Sequence, residues 1–223
     1  MANGFVDASL NNLIAVGILE HIIMKVIECV DMMRSELESV SQRIDNSELT
    51  IRDYLFNNYL NNDGVMNAIG FDNYRFHPEV PENYIDSKPI GRVDLHVYSI
   101  DDFRHRKRYF IIECKKINGT LPLNRAYIDE GIRRFAGDDP KYTSYYKTNG
   151  MIGFVVRNTD IESNVAYINR LMAEDYREIH VHEYLRLNPK SNMYVSTHGC
   201  DENRRVTLVH AFPNIATIIK DNY

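Results

Sequence analysis

Gly91-Arg92-Val93-Asp94-Leu95-His96-Val97-Tyr98 and Tyr109-Phe110-Ile111-Ile112-Glu113-Cys114-Lys115 decide how this chain is read. In the first stretch Val93, Leu95 and Val97 alternate with Asp94, His96 and Tyr98. In the second, Phe110, Ile112 and Cys114 alternate with Ile111, Glu113 and Lys115. Such a period of two marks β-strands. The polar stretch Asp101-Asp102-Phe103-Arg104-His105-Arg106 between them predicts a hairpin turn centred near Phe103. That register sets Asp94 opposite Glu113, on one face, with Cβ atoms about 5 Å apart. Lys115, two residues beyond Glu113, joins the same face. Two carboxylates this close repel unless a cation lies between them. A hard divalent ion bound through oxygens suits the pair, and the Cys114 carbonyl is a further candidate ligand. Lys115 supplies a positive charge there, or orients or deprotonates an attacking water.

On the wet face of an ordinary hairpin, an Asp, a Glu and a Lys are only surface charge. The apolar run Tyr109-Phe110-Ile111-Ile112 argues against that here, because it predicts that Glu113 projects from a mostly buried strand. Charges in that setting are rare unless paired or functional.

These residues resemble the PD-(D/E)xK nuclease superfamily, from about Ser47 to Arg157. In that family a hairpin carries the Asp and then Glu-x-Lys, a preceding helix adds an acidic residue, and a helix and strand follow. Val93 stands here where the family often has Pro. The resemblance implies a restriction-endonuclease-like α-β-β-β-α-β core with a mixed sheet flanked by helices. It also implies Mg²⁺, or Mn²⁺ in its place, and hydrolysis of DNA. Asp94, Glu113, Lys115 and Glu48 are then the catalytic candidates, with Asp94, Glu113, Glu48 and the Cys114 carbonyl on the metal. Arg92, Lys116, Arg133 and Arg134 are candidate contacts to backbone phosphates. For Glu48 an ordinary explanation stands beside this one: an acidic residue in a first helical turn suits the helix dipole. For Arg133 and Arg134 it is a solvated helix face.

The flanking sequence fits this order of elements. Ser47 is a candidate N-cap before a helix through Ile51, Leu55 and Leu60. Tyr74 to Val80 predicts a strand, in which Pro78 argues for an edge or an irregular end; Glu79 beside it is a further acidic candidate. Leu123 to Phe135 has helical spacing. Gly150 to Val156 is a continuous apolar run, as in a strand buried on both faces. Farther on, Ile161 to Glu174 predicts a helix and Ile179 to Leu185 a strand. Met193 to His198 and Arg204 to Phe212 predict a hairpin around Gly199 and Asn203, a β elaboration of the same domain. His180, His182, His198 and Cys200 are the only set with any resemblance to zinc ligands, at unusual spacing.

Residues 1–46 read as an amphipathic helix and 47–223 as the nuclease-like domain. Val16, Leu19, Ile23, Val26, Val30, Met33, Leu37, Val40 and Ile44 form a 3-4 stripe. That stripe needs a partner: the core, the same helix in a homodimer, or a protein of the same operon. Leu10 to Val30 is broken by Glu20, Lys25 and Glu28, so it is a poor membrane span. Three unclustered cysteines fit a reducing, cytoplasmic setting.

The net charge of −5 does not advertise a nucleic-acid partner. Its distribution does: residues 1–48 hold 8 acidic and 3 basic side chains, whereas residues 104–134 hold 9 basic and 3 acidic. The run Arg104-His105-Arg106-Lys107-Arg108 belongs to the hairpin tip, some 20–25 Å from Asp94 at about 3.3 Å per residue. Tyr142, Tyr145 and Tyr146, with Lys141 and Lys147, are candidates for stacking on bases, or a loop that merely covers the sheet. Motifs for a phosphate-binding loop, a zincin or a serine hydrolase are missing. Alternatives to a DNA nuclease are an inactive nuclease-like module for nucleic-acid binding or assembly, and a nuclease acting on RNA.

Overall fold

The computed structural model describes residues 8–85, 88–102, 108–142 and 145–220. Its helices are α1 (Ala8–Ser39), α2 (Glu48–Leu55), α3 (Asp63–Ala68), α4 (Leu121–Tyr127), α5 (Arg133–Phe135) and α6 (Ile161–Asp175). Its strands are β1 (Tyr74–Ile85), β2 (Lys88–Ser99), β3 (Phe110–Ile117), β4 (Thr148–Val155), β5 (Val181–Asn188), β6 (Met193–His198) and β7 (Val206–Ala211). One mixed sheet holds all seven, in the order β1-β2-β3-β4-β7-β6-β5. β1, β2 and β3 pair antiparallel, β3-β4 and β4-β7 parallel, and β7, β6 and β5 antiparallel. The class is therefore α/β. The parallel step from β3 to β4 needs a crossover, and α4 and α5 supply it.

The sheet separates two cores. On one face Leu95, Val97 and Ile112 pack with Leu19, Ile23 and Val26 of α1 and with Ile51 and Leu55 of α2. On the other, Ile111, Met151 and Leu208 pack with Tyr127, Ile132 and Ile168. β4 is buried at every position, as a central strand covered on both sides must be. Each fully buried Leu or Ile contributes about 1.5–3 kcal/mol.

The apolar stripe of α1 turns inward: Leu19, Ile23, Val26, Val30, Met33 and Leu37 are buried. Its regularity breaks before Val40, which is exposed, because the helix ends at Ser39 and Ser41 takes a left-handed φ of 54°. Ile44 instead bridges to Ile219 across the chain. Solvent meets the other side of α1, at Leu13, Ile14 and Met24. Among the described residues no helix is long and apolar enough to cross a membrane.

Several boundaries depart from expectation. The helix after Ser47 changes to a π-helical turn at Phe56–Leu60, and Ser47 occupies the N-cap position without a side-chain cap bond. β1 runs past Pro78 to Ile85; as an edge strand it has a side on which a missing N–H does no harm. The C-terminal hairpin turns at Gly199, whose φ is 130° and where a Cβ would lie 2.5 Å from the Arg204 carbonyl oxygen. Its strands are the expected ones, β6 and β7.

The zinc candidates lie side by side across β5 and β6, but among the described residues their side chains form no ligand group. His198 is fully buried and hydrogen-bonds Ser196 at 2.7 Å, His180 pairs with Asp138 at 2.9 Å, and the Cys200 thiol is exposed beside Asp201. Strand alternation sends His198 into the core while the turn holds Cys200 outside.

Candidate active site

The β2–β3 ladder registers Leu95 with Ile112, His96 with Ile111 and Val97 with Phe110. One more step of that register sets Asp94 against Glu113. There the strands part, and the Asp94 side chain fills the gap: its Oδ2 accepts the Cys114 N–H at 2.8 Å. Opposite Asp94 on β1, between the pairs Pro78–Leu95 and Val80–Val93, Glu79 has a φ of 55°. A left-handed non-glycine residue in a strand is a strained backbone, and such strain collects at functional sites.

Lys115 is the hub. Its Nζ lies 2.9 Å from Glu48 Oε1, 3.0 Å from Glu113 Oε1 and 3.9 Å from Asp94 Oδ2, and it donates to the Cys114 carbonyl at 2.8 Å. Glu48 reaches it because α2 begins beside β3, which places the first helical residue at the end of the strand. Burial opposes the ammonium charge, but Glu113, Glu48 and Asp94 outweigh it and hold the Lys115 pKa above its ordinary value. Lys115 therefore stays protonated at neutral pH.

Glu113 has no exposed surface. Its Oε1 also takes Arg134 Nη1 at 2.7 Å, while its Oε2 is buried without a hydrogen-bond partner. Burial first, then the charge of Asp94, push its carboxyl up to about 8, against the pull of Lys115 and Arg134. Such a carboxyl is poised to gain from a further cation.

Two arginines complete the arrangement. Arg134 reaches the cleft because the helix widens into a π turn at Ile128–Ile132, just before α5; such turns recur at functional sites. Arg134 also donates to the Tyr142 hydroxyl at 2.7 Å, and that hydroxyl donates to the Arg92 carbonyl at 2.5 Å. Tyr142 packs so close over Gly91 that a Cβ there would lie 2.9 Å from its ring. Arg52 is 3% exposed; its Nη1 binds Asp94 Oδ1 at 2.8 Å and Glu79, and its Nη2 binds Asp53 at 2.7 Å. Its charge survives burial through these hydrogen bonds.

A cleft of about 380 Å³ opens over the group, lined by Glu48, Glu79, Asp94, Glu113 and Lys115, with Arg92, Glu130, Arg134 and Lys141 at its sides. The structure thus brings together Asp94, Glu113, Lys115, Glu48, Arg92 and Arg134. Cys114 contributes its backbone alone, since its thiol is buried in the core on the opposite face of the sheet. Two expected phosphate contacts lie elsewhere. Lys116 is bound to Asn46 at 2.8 Å, because it points away from Lys115. Arg133 faces solvent and pairs with Asp129 at 2.8 Å, one helical position round from Arg134. Residues 104–107 of the basic tip lie outside the described residues.

Reading the sequence missed Arg52, whose signal was its place one turn after Glu48, on the same helix face. It missed Glu130 too, and the link from Tyr142 to Arg134.

The donor set fits a hard divalent cation. Glu113 offers a buried oxygen without a partner, and Asp94 and Glu48 bring carboxylates to the same Lys115 that Glu113 meets. Among the described residues no three His, Cys, Asp or Glu side chains form a preformed cage. Mg²⁺ sites commonly rely on one or two carboxylates, waters and substrate phosphate. Searches against family models, curated proteins and solved structures give no match to this chain.

Proposed function

We propose that this chain is a Mg²⁺-dependent nuclease of restriction-endonuclease-like fold, which hydrolyses phosphodiester bonds of DNA. The observation that carries the reading is the meeting of Glu48, Asp94 and Glu113 on one lysine in a cleft, with an unpartnered oxygen on Glu113. Asp94 and Glu113, with Glu48 and the Cys114 carbonyl, are the residues that would hold the ion. When bound, Mg²⁺ lowers the pKa of a water and neutralises charge on a phosphate. Lys115, kept protonated by its carboxylates, orients that water and stabilises negative charge; it is not the base. Arg134 and Arg92 flank the cleft as phosphate contacts. Arg52 fixes the orientation of Asp94.

A second reading draws on a specific observation. Both oxygens of Asp94 are engaged, one by Arg52 and one by the Cys114 N–H. A site locked in that state binds nucleic acid without cutting it. One experiment separates the two: incubation of supercoiled DNA, linear DNA and RNA with the protein in Mg²⁺, Mn²⁺ or EDTA, beside Asp94→Ala and Lys115→Ala. The nuclease reading expects metal-dependent cleavage that falls at least about 100-fold in both variants. Cleavage at wild-type rates by both variants would refute the site. Binding without cleavage under any metal favours the second reading.

A further inference from the structure

The strand face that leads away from the cleft has a composition of its own. Asp94, His96 and Tyr98 alternate onto one side of β2, and the register sets His77 opposite His96 and Arg75 opposite Tyr98. Their neighbours Phe76, Leu95 and Val97 point the other way, into the core with α1. The helices of the second layer pack on β3 and β5. His77 is exposed, and Arg75, His96 and Tyr98 are half-buried.

Their rings are ordered. His77 and Tyr98 lie parallel, centroids 5.4 Å apart and planes 4° apart, with His77 Nε2 and the Tyr98 hydroxyl 3.1 Å apart. His96 sits behind, 4.0 Å from the Tyr109 ring and 5.9 Å from Tyr98. At about 3.3 Å per residue the His96 row lies about 7 Å from Asp94, and the Tyr98 row about 13 Å. At the 3.4 Å rise of a stacked strand those distances are about two and four nucleotides.

We propose that this face of β1 and β2 is a base-stacking track that feeds single-stranded DNA into the cleft. The inference rests on the reading of the cleft as a phosphodiesterase site, and it names the substrate class. Aromatic platforms beside a basic rim are how sequence-tolerant single-strand binders work, because every unpaired base has a free π face. In a duplex those faces are covered by neighbouring pairs. Duplex binding draws instead on many phosphate contacts. Among the described residues this track offers rings, with the Arg75 guanidinium held by the Asp72 and Tyr74 carbonyls and with Arg92 and Lys141 at the cleft.

The chain has no tryptophan, so Tyr98→Trp installs a single indole reporter on the track. Emission is followed in EDTA, where nothing is cut, as a dT 20-mer or a blunt hairpin duplex is added. Quenching by the single strand at concentrations at least tenfold lower than by the duplex is the expected result. In anisotropy with a labelled dT 20-mer, His77→Ala and Tyr98→Ala should each weaken binding about tenfold and leave duplex binding unchanged, while Tyr98→Phe binds as wild type. His77 is exposed, so its variant folds whatever Tyr98→Ala does. Equal quenching by both DNAs, or wild-type affinity in His77→Ala, overturns the track. Cleavage in Mg²⁺ is scored separately. Selective quenching without cleavage upholds the track and refutes the catalytic reading; cleavage without selective quenching does the reverse.

Discussion

Lowering the pH from 6.5 to 4.5 should cost this protein about 2.5 kcal/mol through His198 of its core, with buried His210 adding to the loss. Tyr127, His210, Ser196 and His198 form a buried chain: Tyr127 Oη to His210 Nδ1 at 2.8 Å, His210 Nε2 to Ser196 Oγ at 2.8 Å, and Ser196 Oγ to His198 Nε2 at 2.7 Å. Both rings have no exposed surface. Burial lowers His198 to about 3 and holds His210 well below the usual range, so both stay neutral when folded. In the unfolded chain each takes a proton near pH 6.5. A depressed folded pKa gives stability that is present above the unfolded value and is lost as pH falls. His198 then costs about 1.4 kcal/mol per pH unit below 6.5 and about 2.5 over two units, and His210 adds a loss of the same sign. That is a large share of a domain's net stability, which is about 5–15 kcal/mol. The consequence reaches the cleft, because His210 is bonded to Tyr127, on the helix that leads to Glu130 and Arg134. Urea unfolding followed by circular dichroism at pH 6.5, 5.5 and 4.5 measures the loss, with His198→Gln beside wild type. The variant starts less stable, but its stability should fall about 1.4 kcal/mol per unit less steeply. Equal slopes in the two proteins, or a His198 ring that titrates near 6.5 by NMR, would refute the reasoning.

Glu113 carries the opposite sign: its folded pKa lies above the ordinary carboxylate value, so stability is lost as pH rises toward 8. In metal-free buffer Glu113→Gln should lose less stability than wild type between pH 5 and 8 by urea unfolding, while abolishing metal-dependent cleavage. Gly91→Ala should lower cleavage severalfold with little loss of thermal stability, because its Cβ displaces Tyr142 and with it Arg134; an unchanged rate would disconnect Tyr142 from the site. Removal of residues 1–45 should leave a protein without a cooperative thermal transition, since α1 covers one face of the sheet; a cooperative melt would show that α1 is dispensable to the core.

Strand periodicity made the candidate site legible. Because side chains alternate along a strand, Asp94, Glu113 and Lys115 could be assigned to one face from their spacing, and the polar turn supplied the register. The same rule set Lys116 on the other face, and a helical step of 100° set Arg133 apart from Arg134; both were overlooked in favour of proximity in sequence. The C-terminal hairpin was equally local, bounded by a glycine that its turn requires. Other features depend on how layers meet. The stripe on α1 carried no label for its partner, because a buried apolar face has the same pattern against a sheet, a second copy or another protein. Only the packed sheet, with Leu95, Val97 and Ile112 facing Leu19 and Ile23, turned it inward. Arg52 meets Asp94, and Arg134 meets Glu113, across elements far apart in the chain, and no local spacing encodes those distances. The sequence determined which residues share a strand face. The tertiary structure decided which cations those carboxylates meet, because ion pairs between layers exist only once both cores have closed.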